Sequence, residues 1–388
     1  MADGPIHRRR YPWRTVVVSL VLSAAVWGGQ RAAPDWQEVE THERWLLGMM
    51  RQGRTDTGPQ HLIQSYENLE NRCWIYDQAL AVITFAALGH VDQADEIMST
   101  LGEIQNDDGS FYFSYLISSL EPTSERTYTG TNAWVAMAVN FYRRLTGNQR
   151  HNRLLLGLLS WLASRQVMDA AAPTHGGLSL GTRDDAFSME HNLDAFSAFF
   201  YTGNHRYRRR AKAIRRFIFR ELYRVDPSPH FITGYRDSSL YLDCQSWAVL
   251  SFGKRFARVL DFAETRFSVE NGRRNGEVDI RGFFERQAEG APVWSEGTEG
   301  MAMAYGLCSQ TDKSLFFHRQ VARMKGVNGG IAYATENDHG FSPAPSVAGT
   351  TWYLFFELKL NPFAPDRSQM RAIRRLQRAV RPRSCGSD

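Results

Sequence analysis

Two carboxylates, Glu190 and Asp194, lie at the start of an apolar stretch near the middle of the chain. If residues 188–201 form a helix, Leu193, Phe196 and Phe200 share one stripe, and the two acidic residues share another with the polar side chains that follow. Such a helix packs among others and presents one narrow polar edge to a cavity. In the plainer interpretation, acidic residues in a first turn stabilise the helix dipole by about 0.3–1 kcal/mol each.

The same arrangement occurs six times along the chain, as an apolar helix with a polar cluster at its N-terminus. The six are predicted to begin near Trp74, Gly130, Met189, Leu242, Gly297 and Ala348. One polar residue in each helix serves to align the six: Asp77, Asn132, Asn192, Asp243, Glu299 and Thr350. The intervals between consecutive residues of this set are 55, 60, 51, 56 and 51. Repeats of about this length indicate a closed or stacked array.

A second, more charged helix is predicted after each apolar helix except the last, at residues 91–105, 149–166, 205–222, 255–267 and 313–325. Residues 40–52 supply the missing partner at the start. Short glycine-marked strands follow at residues 109–113, 176–180, 231–235, 281–284 and 329–333. The apolar helices are expected to be surrounded by protein and the charged ones to face water on one side.

Six such pairs predict an all-α (α/α)6 toroid, with six inner and six outer helices and the short strands in the connecting loops. An open solenoid is the alternative. The predicted divisions are a signal peptide or signal anchor at residues 1–34, the toroid at 35–363 and a basic C-terminal tail at 364–388. Within the tail, Met370, Ile373, Leu376 and Val380 have helical spacing, which predicts a thirteenth helix, either solvated or lying on an anionic surface.

In a toroid the inner helices run parallel, so their N-termini meet at one end. That end would collect Asp77, Glu190, His191, Asp194, Asp243, Glu296 and Glu299. Aromatic side chains lie within about a turn of the same ends, at Trp74, Tyr76, Trp134, Tyr241, Trp247 and Trp294. Acids beside aromatic faces suit a carbohydrate, whose rings present C–H surfaces to aromatic planes and hydroxyls to carboxylates. Any one of these tryptophans could equally pack in the wall.

The six helix pairs, the glycine-marked strands and the acid-headed inner helices resemble the six-hairpin glycosidase superfamily over about residues 40–363. Residues 107–111 are also similar to the QW-type repeats of terpene cyclases, but the acid-rich motif of those enzymes is not evident. Lanthionine cyclases share the toroid and need a Cys/Cys/His zinc site that is not found. The resemblance implies glycoside hydrolysis, although the superfamily also contains sugar epimerases and polysaccharide lyases.

Hydrolysis of a glycoside needs one protonated and one ionised carboxyl group. We assign these roles to Glu190 and Glu296, with acid and base left open. The substrate-binding set is Asp77, His191, Asp194, Asp243, Gln245, Trp247, Trp294, Glu299, Trp74 and Tyr76. Glu190 and Glu296 lie on next-but-one helices, whose axes would be about 14–17 Å apart if neighbours are about 8–10 Å apart. Because both side chains reach inward, the distance between their carboxyl groups is shorter and falls in the range of roughly 6.5–9.5 Å found in inverting glycosidases. Inversion is therefore predicted.

Two other functions remain open. The same funnel could bind a polysaccharide without cutting it, as part of a glycan synthesis or export assembly. A lyase or epimerase with His191 as its base would need no carboxylic acid pair.

The composition excludes several other classes. The sequence has no phosphate loop, dinucleotide fingerprint or zinc-type Cys/His spacing, so no cofactor and no metal are expected. The net charge is +5, but no nucleic-acid reader motif accompanies the basic clusters, and no nucleic-acid partner is expected. The four cysteines show no paired spacing, so disulfides stay undecided.

The N-terminal segment resembles a targeting signal. Three arginines at residues 8–10 precede an apolar run at residues 16–27, and small residues follow it. The run is shorter than the roughly 17–25 residues of a free-standing membrane helix. We therefore expect a periplasmic or extracellular domain, with membrane association through this segment if it is not removed.

Overall fold

The computed structural model describes residues 34–55, 58–274, 277–338 and 340–380. Six helices form its inner ring: α2 (Ile75–Leu88), α4 (Thr129–Thr146), α6 (Met189–Phe200), α8 (Leu242–Phe252), α10 (Ser295–Leu307) and α12 (Val347–Glu357). Each packs against the next, and α12 packs against α2, so the ring is closed. The predicted toroid is confirmed and the open solenoid is excluded.

Six outer helices surround the ring: α1 (Trp36–Met49), α3 (Val91–Ile104), α5 (Asn152–Arg165), α7 (His205–Phe217), α9 (Arg258–Phe267) and α11 (Thr311–Ala322). A π-helical turn (Ile218–Leu222) continues α7, and a 3-10 turn (Lys254–Phe256) precedes α9. Each outer helix packs on the inner helix before it, and α1 supplies the partner of α12. The first helix of the described chain, α1, therefore packs on the last inner helix, α12.

Burial separates the two sets of helices as the sequence predicts. In α2, 12 of 14 residues are buried, whereas the arginine-rich α7 buries only 4 of 13. The inner helices therefore form the core, and a polar side chain in one of them lies either in the ring interior or between helices.

Short antiparallel strands connect the helices: β1 (Met50–Thr55), β2 (Gly58–Ile63), β3 (Arg72–Trp74), β4 (Ser114–Leu116), β5 (Pro122–Ser124), β6 (Tyr223–Arg224), β7 (His230–Phe231), β8 (Ser268–Arg274) and β9 (Glu277–Phe283). They form the sheets β1–β2, β3–β4–β5, β6–β7 and β8–β9, with Met50 opposite Ile63 and Ser268 opposite Phe283. Residues 50–52, predicted to be helical, instead belong to the first strand of the β1–β2 hairpin.

Most of the glycine-marked segments are not strands. Residues 109–113 are irregular and follow a turn at residues 107–108, and Leu178 and Ile331 make only isolated bridges. At Gly109, a Cβ would come within 2.4 Å of the Gly157 carbonyl oxygen, and at Gly176 within 2.3 Å of that of Ala213. The glycines therefore mark close backbone contacts with the following outer helix rather than strand ends.

One hydrogen-bonding tie repeats around the ring. Near the start of each inner helix, a side chain bonds the backbone of the connecting segment before it, through the pairs Gln78–Ile63, Asn132–Phe111, Asn192–Leu178, Gln245–Phe231, Thr298–Phe283 and Thr350–Ile331. These six positions define the structural register of the repeat. Compared with the sequence alignment, Asn132, Asn192 and Thr350 are in register, and the other three repeats shift by one or two residues.

A thirteenth helix, α13 (Arg367–Val380), covers the end of the ring opposite to the inner-helix N-termini. Met370 and Ile373 are buried in the core, and Gln377 donates to the Ala86 carbonyl at 2.6 Å. Its apolar face therefore packs on the C-terminal ends of α2 and α4, instead of on an anionic surface as one alternative proposed. Within the described ranges, no helix has the length and hydropathy needed to span a bilayer. The predicted signal segment lies outside them.

Candidate active site

The first turns of the inner helices form one polar layer at the mouth of the ring. The second residue of each helix, two positions before the tie, belongs to it: Tyr76, Gly130, Glu190, Asp243, Glu296 and Ala348. Because Tyr76 of α2 contacts Glu296 of α10, and the Glu190, Asp243 and Glu296 carboxyls influence one another's ionisation, these N-termini share one rim. The predicted convergence is confirmed.

Glu296 is held by a network that crosses the ring. The Tyr76 hydroxyl donates to Glu296 Oε1 at 2.5 Å and accepts from Trp352 Nε1 at 3.0 Å. Ala348 of α12, the helix between α10 and α2, is small enough to leave this path open. Burial raises the pKa of Glu296 to about 8, while the bonds from Tyr76 and Trp352 act in the opposite direction. The carboxyl group therefore keeps its proton at neutral pH.

Glu190 and Asp243 lie on neighbouring helices, and both are partly exposed to the mouth. Burial raises the pKa of Glu190 well above its usual value, with further contributions from Asp243 and Glu296. Burial also raises the pKa of Asp243, but only to about 6, because the Cys244 backbone N–H donates to Asp243 Oδ1 at 2.6 Å. The two carboxyls interact, so the pair as a whole, rather than either residue alone, gains and loses the protons.

A second layer lies one helical turn deeper, about 5.4 Å along the helix axis. It contains Asp194, Trp134, Trp247 and Trp352. Trp247 and Trp352 stack with ring centroids 5.7 Å apart, and Trp134 meets them edge-on at 5.9 and 6.3 Å. Phe363 packs beneath all three indoles. The tryptophans therefore form a closed aromatic layer beneath the carboxyls, a location that the sequence did not predict for Trp247.

Asp194 is fully buried in this second layer, and among the described residues the Trp134 indole is close enough to stabilise its carboxylate, although neither oxygen has a partner in ideal hydrogen-bonding geometry. Burial and the neighbouring Glu190 and Asp243 raise its pKa well above the usual value, and the nearby Trp134 indole opposes that shift. The carboxyl fits beside α4 because residue 130 is glycine: a Cβ there would come within 2.9 Å of Asp194 Oδ2 and 2.6 Å of His191 Cδ2.

His191 lies at the mouth beside the same glycine. Its Nδ1 is 3.3 Å from the Leu180 carbonyl oxygen, so Nδ1 carries the proton. Burial lowers the pKa of His191 to about 4. The imidazole is therefore neutral at pH 7, and Nε2 is the ring nitrogen that can accept a proton.

Asp77 and a group of aromatic rings form one side of the rim. Burial raises the pKa of Asp77 to about 7, against a hydrogen bond with Ser65. The rings pack edge to face or stacked, with centroids 5.3–6.3 Å apart, in the series Trp74, Tyr66, Tyr333, Phe341 and Trp294. Trp74 and Trp294 are thus at the rim as predicted. Sequence reasoning missed Tyr66, Tyr333 and Phe341, because they lie in loops outside the helical repeat.

Two predicted substrate-binding residues do not reach the cavity. The Gln245 amide bonds the backbone N–H and carbonyl of Phe231 at 2.9 and 2.7 Å, which uses both of its ends. Glu299 points outward, where His318 Nδ1 lies 2.8 Å from Oε1. Both assignments are corrected to structural roles, since each residue is one or two positions away from the inward-facing register.

Trp352 was also missed, although the repeat contains its signal. It lies two residues after the tie at Thr350, as Trp134 and Trp247 do after theirs. Within the described part of the chain, no group of three His, Cys, Asp or Glu residues is placed to hold a metal ion.

Comparison with solved structures identifies the class of fold. A wild-type glycosidase superposes with a TM-score of 0.64 at 10% identity, covering 85% of this chain and 100% of the other. A D-mannose isomerase superposes with a TM-score of 0.61 at 12% identity, covering 89% and 97%. A family 76 glycoside hydrolase from a bovine Bacteroides thetaiotaomicron strain gives a TM-score of 0.58 at 9% identity, covering 84% and 77%.

These similarities show that the chain has the (α/α)6 toroid fold, as the resemblance in the sequence implied. Neither a protein-family model nor a curated protein sequence matches it.

Proposed function

We propose that the protein is a glycoside hydrolase that cleaves a poly- or oligosaccharide by acid/base catalysis at the ring mouth. The observation that carries this proposal is the convergence of three carboxyls, those of Glu190, Asp243 and Glu296, at the ring mouth, where their environments give them different tendencies to ionise. Glycosidases need this combination of one protonated and one ionised carboxyl group. The glycosidases among the structural neighbours, one solved with glucose and one described as a mannosidase, support a carbohydrate substrate.

Glu296 is the proposed general acid. A pKa of about 8 keeps it protonated at neutral pH, and its position against Tyr76 fixes the carboxyl so that the proton faces the leaving oxygen. The Glu190–Asp243 pair is the proposed base. Because the pKa of Asp243 is raised only to about 6, the pair shares one negative charge at neutral pH and can accept a proton from an attacking water.

Inversion of the anomeric configuration is part of the proposal. Tyr76 of α2 and Glu296 of α10 are in contact although α12 lies between their helices. Inward-pointing side chains therefore span the distance between next-but-one helices of the ring. Glu190 and Glu296 are also next but one, with the partly exposed Asp243 between them to hold a water. Proton NMR of the first product formed, recorded before mutarotation, should show the opposite anomer to that of the substrate; the same anomer would contradict a water-mediated single displacement.

Hydrolysis is tested by reducing-sugar release from a panel of bacterial and plant glycans. We expect turnover by the wild-type protein and loss of at least about 1000-fold in the variants Glu190→Gln and Glu296→Gln, with the fold retained by circular dichroism. Glu40→Gln on the outer helix α1 is the matched control and should keep full activity. Near-wild-type turnover by either ring variant would overturn its catalytic role.

A second candidate is sugar isomerisation or epimerisation, favoured by the neutral His191 beside Asp194. A neutral imidazole has a ring nitrogen that can remove a proton next to a carbonyl and return it to the neighbouring carbon. A D-mannose isomerase is among the structural neighbours. Deuterium incorporation into free aldoses in D2O, abolished by His191→Gln, would favour this reaction over hydrolysis.

We also propose that the domain acts outside the cytoplasm, on the basis of residues 8–27. A reporter fused after Asp388 should be active outside the inner membrane. Activity confined to the cytoplasm would contradict this location.

A further inference from the structure

The two ends of the ring differ in the charged groups that they present. The mouth holds the carboxyls of the inner helices, whereas α13 at the other end contributes five arginines and no acidic residue. The segments that leave the inner helices at that end are residues 89–90, 147–151, 201–204, 253–257, 308–310 and 358–366. Asp366 is the only acidic residue in these described segments. Their basic residues are Arg150, Lys254, Arg255 and Lys359. We call α13 and these segments the basic end.

Most of the cations of the basic end are in contact with water. Arg371, Arg375 and Arg378 of α13 are exposed, as are Lys254 and Arg255 before α9. The apolar face of α13 is covered by the ring, so this end presents charge rather than an apolar helix that could insert into a membrane. A partner that binds here is therefore selected by negative charge.

Several acidic residues next to the basic end are engaged in contacts within the fold. Asp95 of α3 is paired with Arg150, and Glu357 of α12 lies 2.7 Å from His318 Nε2. Asp366 accepts from a backbone N–H in the first turn of α13 at 2.8 Å and so caps that helix. The exposed arginines of α13 therefore face the surroundings as an excess of positive charge.

The cations form one continuous surface. Arg374 Nε donates to the Leu145 carbonyl at 2.9 Å, which holds α13 against the end of α4. The Arg144 guanidinium, beside this contact, lies 5.4 Å from the centroid of the Tyr201 ring, just after α6. The Arg208 guanidinium of α7 lies 5.5 Å from the phenyl ring that ends α6. The basic surface therefore extends from α13 across the end of α6 to the first turn of α7.

The described chain also starts at the basic end. The Asp35 backbone N–H donates to Glu357 Oε2 at 3.3 Å, and Glu357 is the last residue of α12. Residues 8–27, with their three arginines and apolar run, precede this point in the sequence. Trp27 and Pro34 are seven residues apart, and seven residues span at most about 25 Å. A bilayer that holds the apolar run therefore lies close to the basic end.

We propose that the basic end docks on a bilayer that contains acidic phospholipids, with the mouth of the ring directed away from the bilayer. Each basic side chain at such a surface strengthens binding by about fivefold, and the effect is screened by salt. Among polyanions, a bilayer is favoured because the chain that enters at this end carries an apolar run. In this orientation a soluble glycan reaches the mouth from the solvent. The inference does not depend on the proposed hydrolysis.

Hydrogen–deuterium exchange of the full chain on vesicles tests which end faces the lipid. One set of vesicles contains phosphatidylcholine alone, and the other contains equal amounts of phosphatidylcholine and phosphatidylglycerol. Peptides from α13 and from residues 201–209 should exchange at least about fivefold more slowly on the mixed vesicles, whereas peptides from the mouth at residues 181–189 should not change. At about 1 M salt, where the Debye length is about 3 Å, this protection should be lost.

Two triple variants separate this surface from net charge. Replacement of the exposed α13 arginines by glutamine, at Arg371, Arg375 and Arg378 together, should abolish the protection while circular dichroism stays that of wild type. The matched control removes the same charge from exposed arginines in the connecting segments at the mouth. These are Arg126, Arg183 and Arg224, each replaced by glutamine. The control should show the same protection as wild type.

Several outcomes would overturn the proposal. They are no binding to the mixed vesicles, equal exchange on both kinds of vesicle, protection that persists in the α13 variant, and protection at the mouth instead. Protection of the basic end by heparin or DNA but not by mixed vesicles would assign the surface to a soluble polyanion and would equally refute docking on a bilayer.

Discussion

At the residue scale, the site depends on how each carboxyl is solvated. Glu296 is buried and accepts from the Tyr76 hydroxyl, and Asp243 is partly exposed and accepts from a backbone N–H. Asp194 is fully buried beside the Trp134 indole. Three acids within one ring therefore ionise differently although their residue types are nearly the same. This difference in pKa allows one carboxyl to act as the acid while another acts as the base.

The Tyr76 hydroxyl gives a testable pH dependence. It stabilises the ionised form of Glu296, so Tyr76→Phe removes a donor and raises the pKa of that carboxyl above about 8. Because the acid must be protonated, the alkaline limb of the kcat/KM profile should move to higher pH, while the maximal rate falls about 10–100-fold from lost positioning. Profiles of wild type and Tyr76→Phe across the alkaline range measure this. An unchanged alkaline limb would exclude Glu296 as the titrating acid.

At the element scale, the sequence predicted the inner helices well, because almost every face of them is apolar and each begins at a polar cluster. Met189 and Leu242 were predicted as helix starts and are confirmed, and Trp74 is one residue before α2. The alignment of the repeats was less accurate. In half of the repeats the aligned residue is acidic. The position that repeats in the structure is instead the hydrogen-bonding tie, where the side chains of Gln78, Asn192 and their equivalents bond the backbone of the preceding connecting segment.

The same shift of register explains why Gln245 and Glu299 were assigned to substrate binding although their side chains do not face the ring interior. A polar residue in the first turn of an inner helix can point inward to the cavity or sideways to a connecting segment, and a shift of one residue rotates it by about 100°. Sequence alone does not fix that rotation when polar residues occupy adjacent positions. The rim aromatics Tyr66 and Tyr333 could not be found by periodicity, because their loops have none.

A substitution at Gln245 tests the hydrogen-bonding tie between the inner helix α8 and the connecting segment before it. Gln245→Leu leaves the buried N–H and carbonyl of Phe231 without their partner, which should lower the free energy of unfolding by about 2–4 kcal/mol. The KM of the folded variant should stay within about twofold of wild type, because the amide does not reach the cavity. Urea unfolding and steady-state kinetics measure the two effects, with the exposed Gln37→Leu as the control. Full stability combined with a raised KM would restore Gln245 to the substrate site.

At the scale of the whole molecule, the ring is closed by groups far apart in the chain. His318 of α11 lies between Glu299 of α10 and Glu357 of α12, at 2.8 and 2.7 Å, and stacks on Phe356. Burial disfavours the charged imidazole, but the two carboxylates outweigh it and raise the pKa of His318 to about 9. A charged cluster therefore joins the last two inner helices to an outer one.

This cluster predicts alkaline sensitivity. The folded-state pKa of His318 is above the unfolded value of 6.5, so its contribution is complete below about pH 6.5 and is lost as the pH rises through about 9. From that shift the contribution is about 3 kcal/mol. Thermal unfolding across that pH window should show a loss of stability that is much smaller in His318→Gln. An equal loss in the variant would assign the alkaline transition to other groups.

The central claim is that Glu296 delivers a proton to the leaving oxygen of a glycoside, and leaving-group dependence tests it most directly. With wild type and Glu296→Gln, kcat/KM is compared for a natural glycan and for the 2,4-dinitrophenyl glycoside of its terminal sugar, whose leaving group needs no proton. We expect the variant to lose at least about 1000-fold on the glycan and less than about tenfold on the activated glycoside. Equal losses on both substrates would contradict the assignment of Glu296 as the general acid.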